Sequence, residues 1–177
     1  MRMQFKSITA IVVLLLVVVS LLVSGCTTTR NEQTVSANST ANQASNQNSP
    51  QLTVTATSLG SSSTLSSSYG TPTAAATNNK FVTYAMYFQN LNKKDLNMGN
   101  PTEIKLRDTS GNIYSYDSFT YSLQQQVNGV TLKGLSYESN TQPGDKYSGL
   151  IAFQIPTSAT PKSLTYDDYT NKITVNL

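Results

Sequence analysis

Residues 81–89 leave the chain few choices of architecture. They read Phe-Val-Thr-Tyr-Ala-Met-Tyr-Phe-Gln. At a period of two, Val82, Tyr84, Met86 and Phe88 share one face, and Phe81, Thr83, Ala85, Tyr87 and Gln89 share the other. Both faces are largely apolar or aromatic, so the segment reads as a central strand. Its neighbours are shorter strands set off by turn signals. Residues 52–57 alternate apolar and polar. Ile104-Lys105-Leu106-Arg107 and Ile113-Tyr114 flank an Asp108-Thr109-Ser110-Gly111-Asn112 loop. Asn128-Gly129, a strong hairpin signal because both residues tolerate positive φ, lies between Gln126-Val127 and Val130-Thr131-Leu132. Pro143-Gly144 marks a further turn. Residues 147–155, 164–166 and 173–177 complete the set. Residues 60–79 lack periodicity and read as a Ser-rich loop, and residues 118–126 admit a helical turn. No amphipathic helix is evident. The expectation is an all-β, immunoglobulin-like antiparallel β-sandwich of seven to nine strands over residues 51–177, with a closed barrel as the alternative. Its predicted core includes Val54, Val82, Met86, Phe88, Leu106, Ile151, Phe153 and Val175.

Composition narrows the chemistry. The chain has no His, no Trp and a single Cys. A Ser-His-Asp triad is therefore excluded, as are a His-bearing zinc site or thiolate cage and an intramolecular disulfide. Charged residues make up 12%, against about 25% in an average soluble protein, and Ser and Thr together number 47. Neutral hydroxyls and amides supply most of the polarity.

The N-terminus carries an address. Arg2 and Lys6 precede an almost wholly apolar run of 16 residues from Ile8 to Val23, followed by Ser24, Gly25 and Cys26. This is the build of a secretory signal over residues 1–25. The run is shorter than the ~20 residues of a membrane-spanning helix. Leu22-Val23-Ser24-Gly25-Cys26 resembles the lipobox of prokaryotic lipoproteins, bacterial or archaeal. The resemblance implies cleavage between Gly25 and Cys26 and diacylglyceryl modification of the Cys26 thiol. Two acyl chains give stable anchoring, so the expected partner at Cys26 is membrane lipid and the expected location is the outer face of the cell membrane. An uncleaved signal anchor with an inert Cys is the alternative. Without the leader's two cations the chain carries 10 basic and 9 acidic side chains, a net of +1 with no clustered patch. That balance and the extracytoplasmic address argue against nucleic acid.

Residues 27–50 hold 17 Ser, Thr, Asn or Gln among 24 and one large apolar side chain, Val35. Such a segment buries too little surface to offset its ordering entropy. With Cys26 it reads as a disordered tether over residues 26–50, with a root-mean-square reach of about 27 Å. Asn38-Ser39-Thr40 matches a glycosylation sequon.

A second resemblance rests on order. A strand ending at Asn90 is followed by Leu106-x-Asp108-x-x-Gly111-x-x-Tyr114. Then comes Pro143-Gly144-x4-Gly149-x3-Phe153-x2-Pro156. This resembles immunoglobulin-like domains of unknown function in prokaryotic lipoproteins, similar to the telokin-like immunoprotective-antigen group. The resemblance implies a fold and an address, and no catalytic residue, cofactor or metal. Residues 60–79 and the Asn128-Gly129 hairpin depart from that pattern as insertions.

Two functional classes follow. The first is a non-enzymatic, lipid-anchored interaction module whose partner is an envelope protein or polysaccharide. Its possible binding face lies at Tyr114 and Tyr116 within a tyrosine-rich strand region, where strand propensity is the plainer explanation of the tyrosines. The second is a small envelope-glycan hydrolase using a carboxylate pair about 5–9 Å apart. Its candidates are Glu103, Asp108, Asp117, Glu138, Asp145, Asp167 and Asp168, which otherwise read as turn and strand-end residues. Asp167-Asp168 beside Asn171 offers oxygen ligands for Ca²⁺ but lacks the spacing of a calcium loop.

Overall fold

In the computed structural model the anticipated central strand runs from Asn79 to Asn90 and pairs along its length on both edges. The structure describes residues 39–40, 52–70 and 72–177. In chain order the strands are β1 (Ser39–Thr40), β2 (Leu52–Ser62), β3 (Thr64–Ser66), β4 (Pro72–Ala74) and β5 (Asn79–Asn90). Then come β6 (Leu96–Met98), β7 (Ile104–Asp108), β8 (Ile113–Ser115), β9 (Gln124–Val127) and β10 (Val130–Lys133). The last four are β11 (Glu138–Thr141), β12 (Lys146–Pro156), β13 (Pro161–Asp167) and β14 (Lys172–Asn176). Short 3-10 turns occupy Pro101–Glu103 and Ser118–Ser122.

Two four-stranded antiparallel sheets, β1-β2-β5-β12 and β14-β13-β7-β8, face each other. In the first, β2, β5 and β12 take the places of strands A, B and E of an immunoglobulin sandwich. In the second, β8, β7, β13 and β14 take C′, C, F and G. The fold is thus the expected sandwich and not a closed barrel. Seven of the eight strands of the two main sheets lie within residues 51–177, and β1 lies outside them. The other six form three two-stranded ribbons.

The core between the sheets follows from alternation. Val54, Val82, Tyr84, Met86, Phe88, Ile151, Phe153 and Ile155 come from one sheet. Ile104, Leu106, Leu164, Tyr166, Ile173 and Val175 come from the other. Phe88 bridges them, its ring 5.4 Å from that of Tyr166 in an edge-on contact. Tyr84 and Phe153 meet similarly at 6.3 Å. Each fully buried Phe or Leu here contributes about 1.5–3 kcal/mol. All eight side chains predicted for the core are in it.

The outer face of the first sheet is also buried. Ala85, Leu150 and Ala152 lie under Leu123, Val127 and Leu132, with Leu59, Leu65, Tyr87 and Phe119 alongside. The cover comes from the β9–β10 hairpin, the Ser118–Ser122 turn and the β3–β4 ribbon. The segment expected as an unstructured loop is therefore largely paired. β2 runs on to Ser62 through an irregularity at Ser58–Ser61, where Gly60 takes φ +96°, and β3 then pairs β4. Ser and Thr dilute the local pattern, and two leucines one ribbon apart are all that mark the apolar side. At the β9–β10 tip, Asn128 and Gly129 take φ of 51° and 80°, as the hairpin signal requires.

The stretch expected as tether contains β1, which pairs β2 with Ser39 opposite Ala56 and Thr40 opposite Thr55. Backbone pairing at an open edge needs no apolar side chain, so composition gives no warning of it. The proposed leader at residues 1–25, Cys26, Asn38 and the rest of the tether lie outside the described residues. Among those described, no helix is long and apolar enough to cross a membrane.

The outer edge of β12 is blocked. Leu135 N–H donates to Leu150 O at 2.8 Å, and Asp117 N–H donates to Ala152 O at 2.8 Å. The Thr120 hydroxyl accepts from Ala152 N–H at 3.1 Å. The chain fits this edge only because residue 134 is glycine. A Cβ there would stand 1.7 Å from the carbonyl oxygen of Thr120. Gly134→Ala is expected to lower stability by about 1–3 kcal/mol, the usual cost of overpacking, as read from the denaturant midpoint of unfolding.

Candidate functional site

The residues that carried the motif resemblance do structural work. Asn90 is fully buried. Its Nδ2 donates to Lys94 O at 3.0 Å and Thr141 O at 2.7 Å, and its Oδ1 accepts from Asn92 N–H at 2.8 Å. One amide thus holds the end of β5, the loop after it and β11 together.

Asp108 ends β7 and closes the β7–β8 hairpin. Its carboxylate accepts from the Asn112 backbone N–H at 2.8 Å, Asn112 Nδ2 at 2.9 Å and the Tyr114 hydroxyl at 2.8 Å. The Asn112 side chain foremost, with Tyr114 and two backbone N–H groups, holds this carboxyl below the usual range against the opposing effect of burial. Tyr114 is pushed up by burial and by the adjoining carboxylate. Its ring packs against the main core. Tyr114 is therefore a clasp on the hairpin, with its hydroxyl committed.

Tyr116 is half-buried beside the core, and its ring meets that of Tyr121 edge-on at 5.8 Å. Their hydroxyls are 3.2 Å apart. That hydrogen bond, more than burial, raises the Tyr121 pKa. Tyr121 is 55% exposed. The tyrosines of the strand region do not share one face. Tyr84 and Tyr166 lie in the core, and Tyr147 bonds Ser136 N–H at 2.9 Å. Tyr69 and Tyr169 stand on exposed turns. Tyr137 is exposed as a single side chain, and Tyr116 with Tyr121 forms an aromatic pair that reaches solvent. Tyr121 falls in the 3-10 turn, where strand periodicity gave no reason to pair it with Tyr116.

The candidate acids mostly cap turns. Asp117 accepts from Phe119 N–H at 2.8 Å and Asp145 from Gln142 N–H at 2.9 Å. Glu138 lies 3.5 Å from the Ser136 hydroxyl. Asp168 accepts from Thr170 N–H at 3.0 Å and Asn171 N–H at 2.6 Å, and Asn171 Nδ2 lies 3.0 Å from its second oxygen. Asp167 pairs with Lys172 at 3.4 Å. The Tyr166 hydroxyl donates to Asp168 at 3.2 Å, and Glu103 lies close enough to feel the charges of Asp168 and Asp167. Burial pushes the Glu103 carboxyl up, and the negative charges of Asp168 and Asp167 add to the rise. Asp168 is held by its own turn as well as by Tyr166. Among the described residues no three acids are grouped as a metal site.

The two perturbed carboxyls act on stability with opposite sign. Asp108, with its pKa lowered on folding, contributes stability above the unfolded value of about 3.9, lost as pH falls through the folded value. Glu103, with its pKa raised, contributes stability below its unfolded value of about 4.3, lost as pH rises through the folded one. Asp108→Asn is expected to flatten the loss of stability below about pH 4. Urea midpoints measured across that range for both chains check it.

A beta-sandwich protein of Clostridium difficile is 15% identical, with a TM-score of 0.42, over 72% of this chain and 86% of that one. A conserved hypothetical protein of Bacillus anthracis is 12% identical, with a TM-score of 0.44, over 73% and 90%. A candidate lipoprotein of Bacillus subtilis is 15% identical, with a TM-score of 0.42, over 71% of this chain and 36% of that one. No curated protein is significantly similar. Residues 27–174 match the family described as Domain of unknown function (DUF4352). The chain belongs to the DUF4352 family.

Proposed function

We propose that the protein is a non-enzymatic, lipid-anchored module of the outer cell surface, with residues 51–177 as its working domain and an envelope protein or polysaccharide as its partner. The observation that carries the reading is Leu22-Val23-Ser24-Gly25-Cys26 behind a basic start and a 16-residue apolar run, in a chain with no other Cys. Cleavage before Cys26 and acylation of its sulfur would moor the chain to membrane lipid. The polar segment after it would give the sandwich lateral reach. The motif order across residues 90–156 supports kinship with telokin-like lipoprotein domains.

The site chemistry suits binding better than turnover. The acids proposed for hydrolysis serve mostly as turn caps, and Asp168 is held both by its own turn and by the hydroxyl of buried Tyr166. The half-exposed Tyr116–Tyr121 pair is the aromatic contact left for a partner, with Tyr114 holding the loop beneath it.

Cells fed a labelled fatty acid are expected to tag the chain, and Cys26→Ser is expected to abolish the tag and shift the protein from the membrane fraction. An untagged chain that keeps its leader would overturn the reading. Tyr121→Ala is expected to weaken retention on isolated envelope while leaving the unfolding midpoint unchanged.

A further inference from the structure

The two sheets differ in what covers them. The first has its outer face buried under hairpins. On the outer face of the second, β14-β13-β7-β8, Ile113, Ser115, Arg107, Thr174 and Asn176 are exposed, Lys105 and Thr165 are half-buried and Ser163 is buried. The registers set these in two rows. One is Ser115, Lys105, Thr165, Thr174; the next is Ile113, Arg107, Ser163, Asn176. Neighbours across strands lie about 4.8 Å apart and the rows about 7 Å apart, so the rows make a flat strip roughly 14 Å across the strands.

The composition of the strip is unusual for this chain. It holds two cations, six neutral side chains, Ser163 being the most sheltered of these, and no acid. Lys105 Nζ donates to the Ser115 hydroxyl at 3.0 Å, which aims the cation along its row. The Thr165 and Thr174 hydroxyls lie 3.3 Å apart. Arg107 is exposed and has no ion pair among the described residues. Asp167, the next outward position on β13, is paired with Lys172. The positive charge on the strip is thus not neutralised locally.

We infer that this face binds an anionic polyol polymer of the envelope. Lys105 and Arg107 hold its phosphate or carboxylate groups, and Ser115, Thr165, Thr174 and Asn176 hydrogen-bond the hydroxyl-bearing units between. Arg suits such a ligand because its planar fork matches two anion oxygens at once. A protein partner fits less well, because interface cores are enriched in aromatics and this strip has none. A membrane fits less well too. Anionic-lipid readers cluster about four to eight Lys or Arg, against two here. The inference rests on the proposed extracytoplasmic address only for where the polymer is met.

The test is calorimetric titration of the full chain, held in neutral detergent, with poly(glycerol phosphate), polygalacturonate and, as a neutral control, dextran. Binding of at least one anionic polymer, weakened about tenfold in Lys105→Ala/Arg107→Ala and reduced by added salt, is the expected result. Lys133→Ala, a cation removed from β10, is expected to leave it unchanged. Lys105→Gln/Arg107→Gln repeats the test should the alanine pair unfold, and Lys105→Arg is expected to retain binding. Equal binding of dextran, equal binding by the double variants, binding to phosphatidylglycerol vesicles alone, or loss in Tyr121→Ala but not in the double variants would each overturn the inference. Cys26 is not read by this titration. A chain that binds polymer yet escapes lipid labelling keeps this inference and loses the mooring, and a labelled chain that ignores every polymer does the reverse.

Discussion

Strand β5 has two apolar faces, and most of the architecture answers to that. Its Val82, Tyr84, Met86 and Phe88 demand an opposing sheet, which β7, β13 and β14 supply through Leu106, Tyr166 and Val175. Its Ala85 and Tyr87 demand a second cover, which an ordinary two-layer sandwich lacks. The β9–β10 hairpin and the β3–β4 ribbon provide it. These two elements therefore complete a third layer. They bury small and medium side chains, and they take one sheet face out of contact with solvent.

The polar side chains then do what buried apolar surface does not: they set where the chain turns and where pairing stops. Asn90 and Asp108 each satisfy several hydrogen-bonding groups at a strand end. Thr120 and Gly134 close the edge of β12, whose unpaired groups would otherwise template another chain. The motif residues recognisable in the sequence are largely these. Their regularity reflects turn and edge chemistry and carries no reacting group. Exposed side chains outside these clasps include those of the second sheet's outer face and Tyr121.

These two surfaces differ in kind. The tyrosine pair is apolar with polar tips, lies on the 3-10 turn side, and is linked through Asp117 and Thr120 to the edge of β12. The strip on the second sheet is flat, hydroxylated and cationic.

How much was legible in advance depended on whether a signal is local. Period-two alternation exposes a strand's faces because successive side chains of a strand point oppositely whatever surrounds it. Val54, Met86, Phe153 and Val175 could therefore be assigned to the core from the sequence alone. Asn128-Gly129 could be assigned to a tight turn because positive φ is a property of those residues themselves. The basic start, the apolar run, the single Cys and the polar stretch after it are likewise features of composition and order. Only the tertiary structure decided that residues 60–79 pair, that Tyr114 is spent on Asp108, and that Tyr121 joins Tyr116. It also decided that Lys105 and Arg107 stand in register with Thr165 and Ser163, residues distant in the chain. Register between distant strands depends on which faces are buried against what, and that is settled by long-range packing of the whole sandwich.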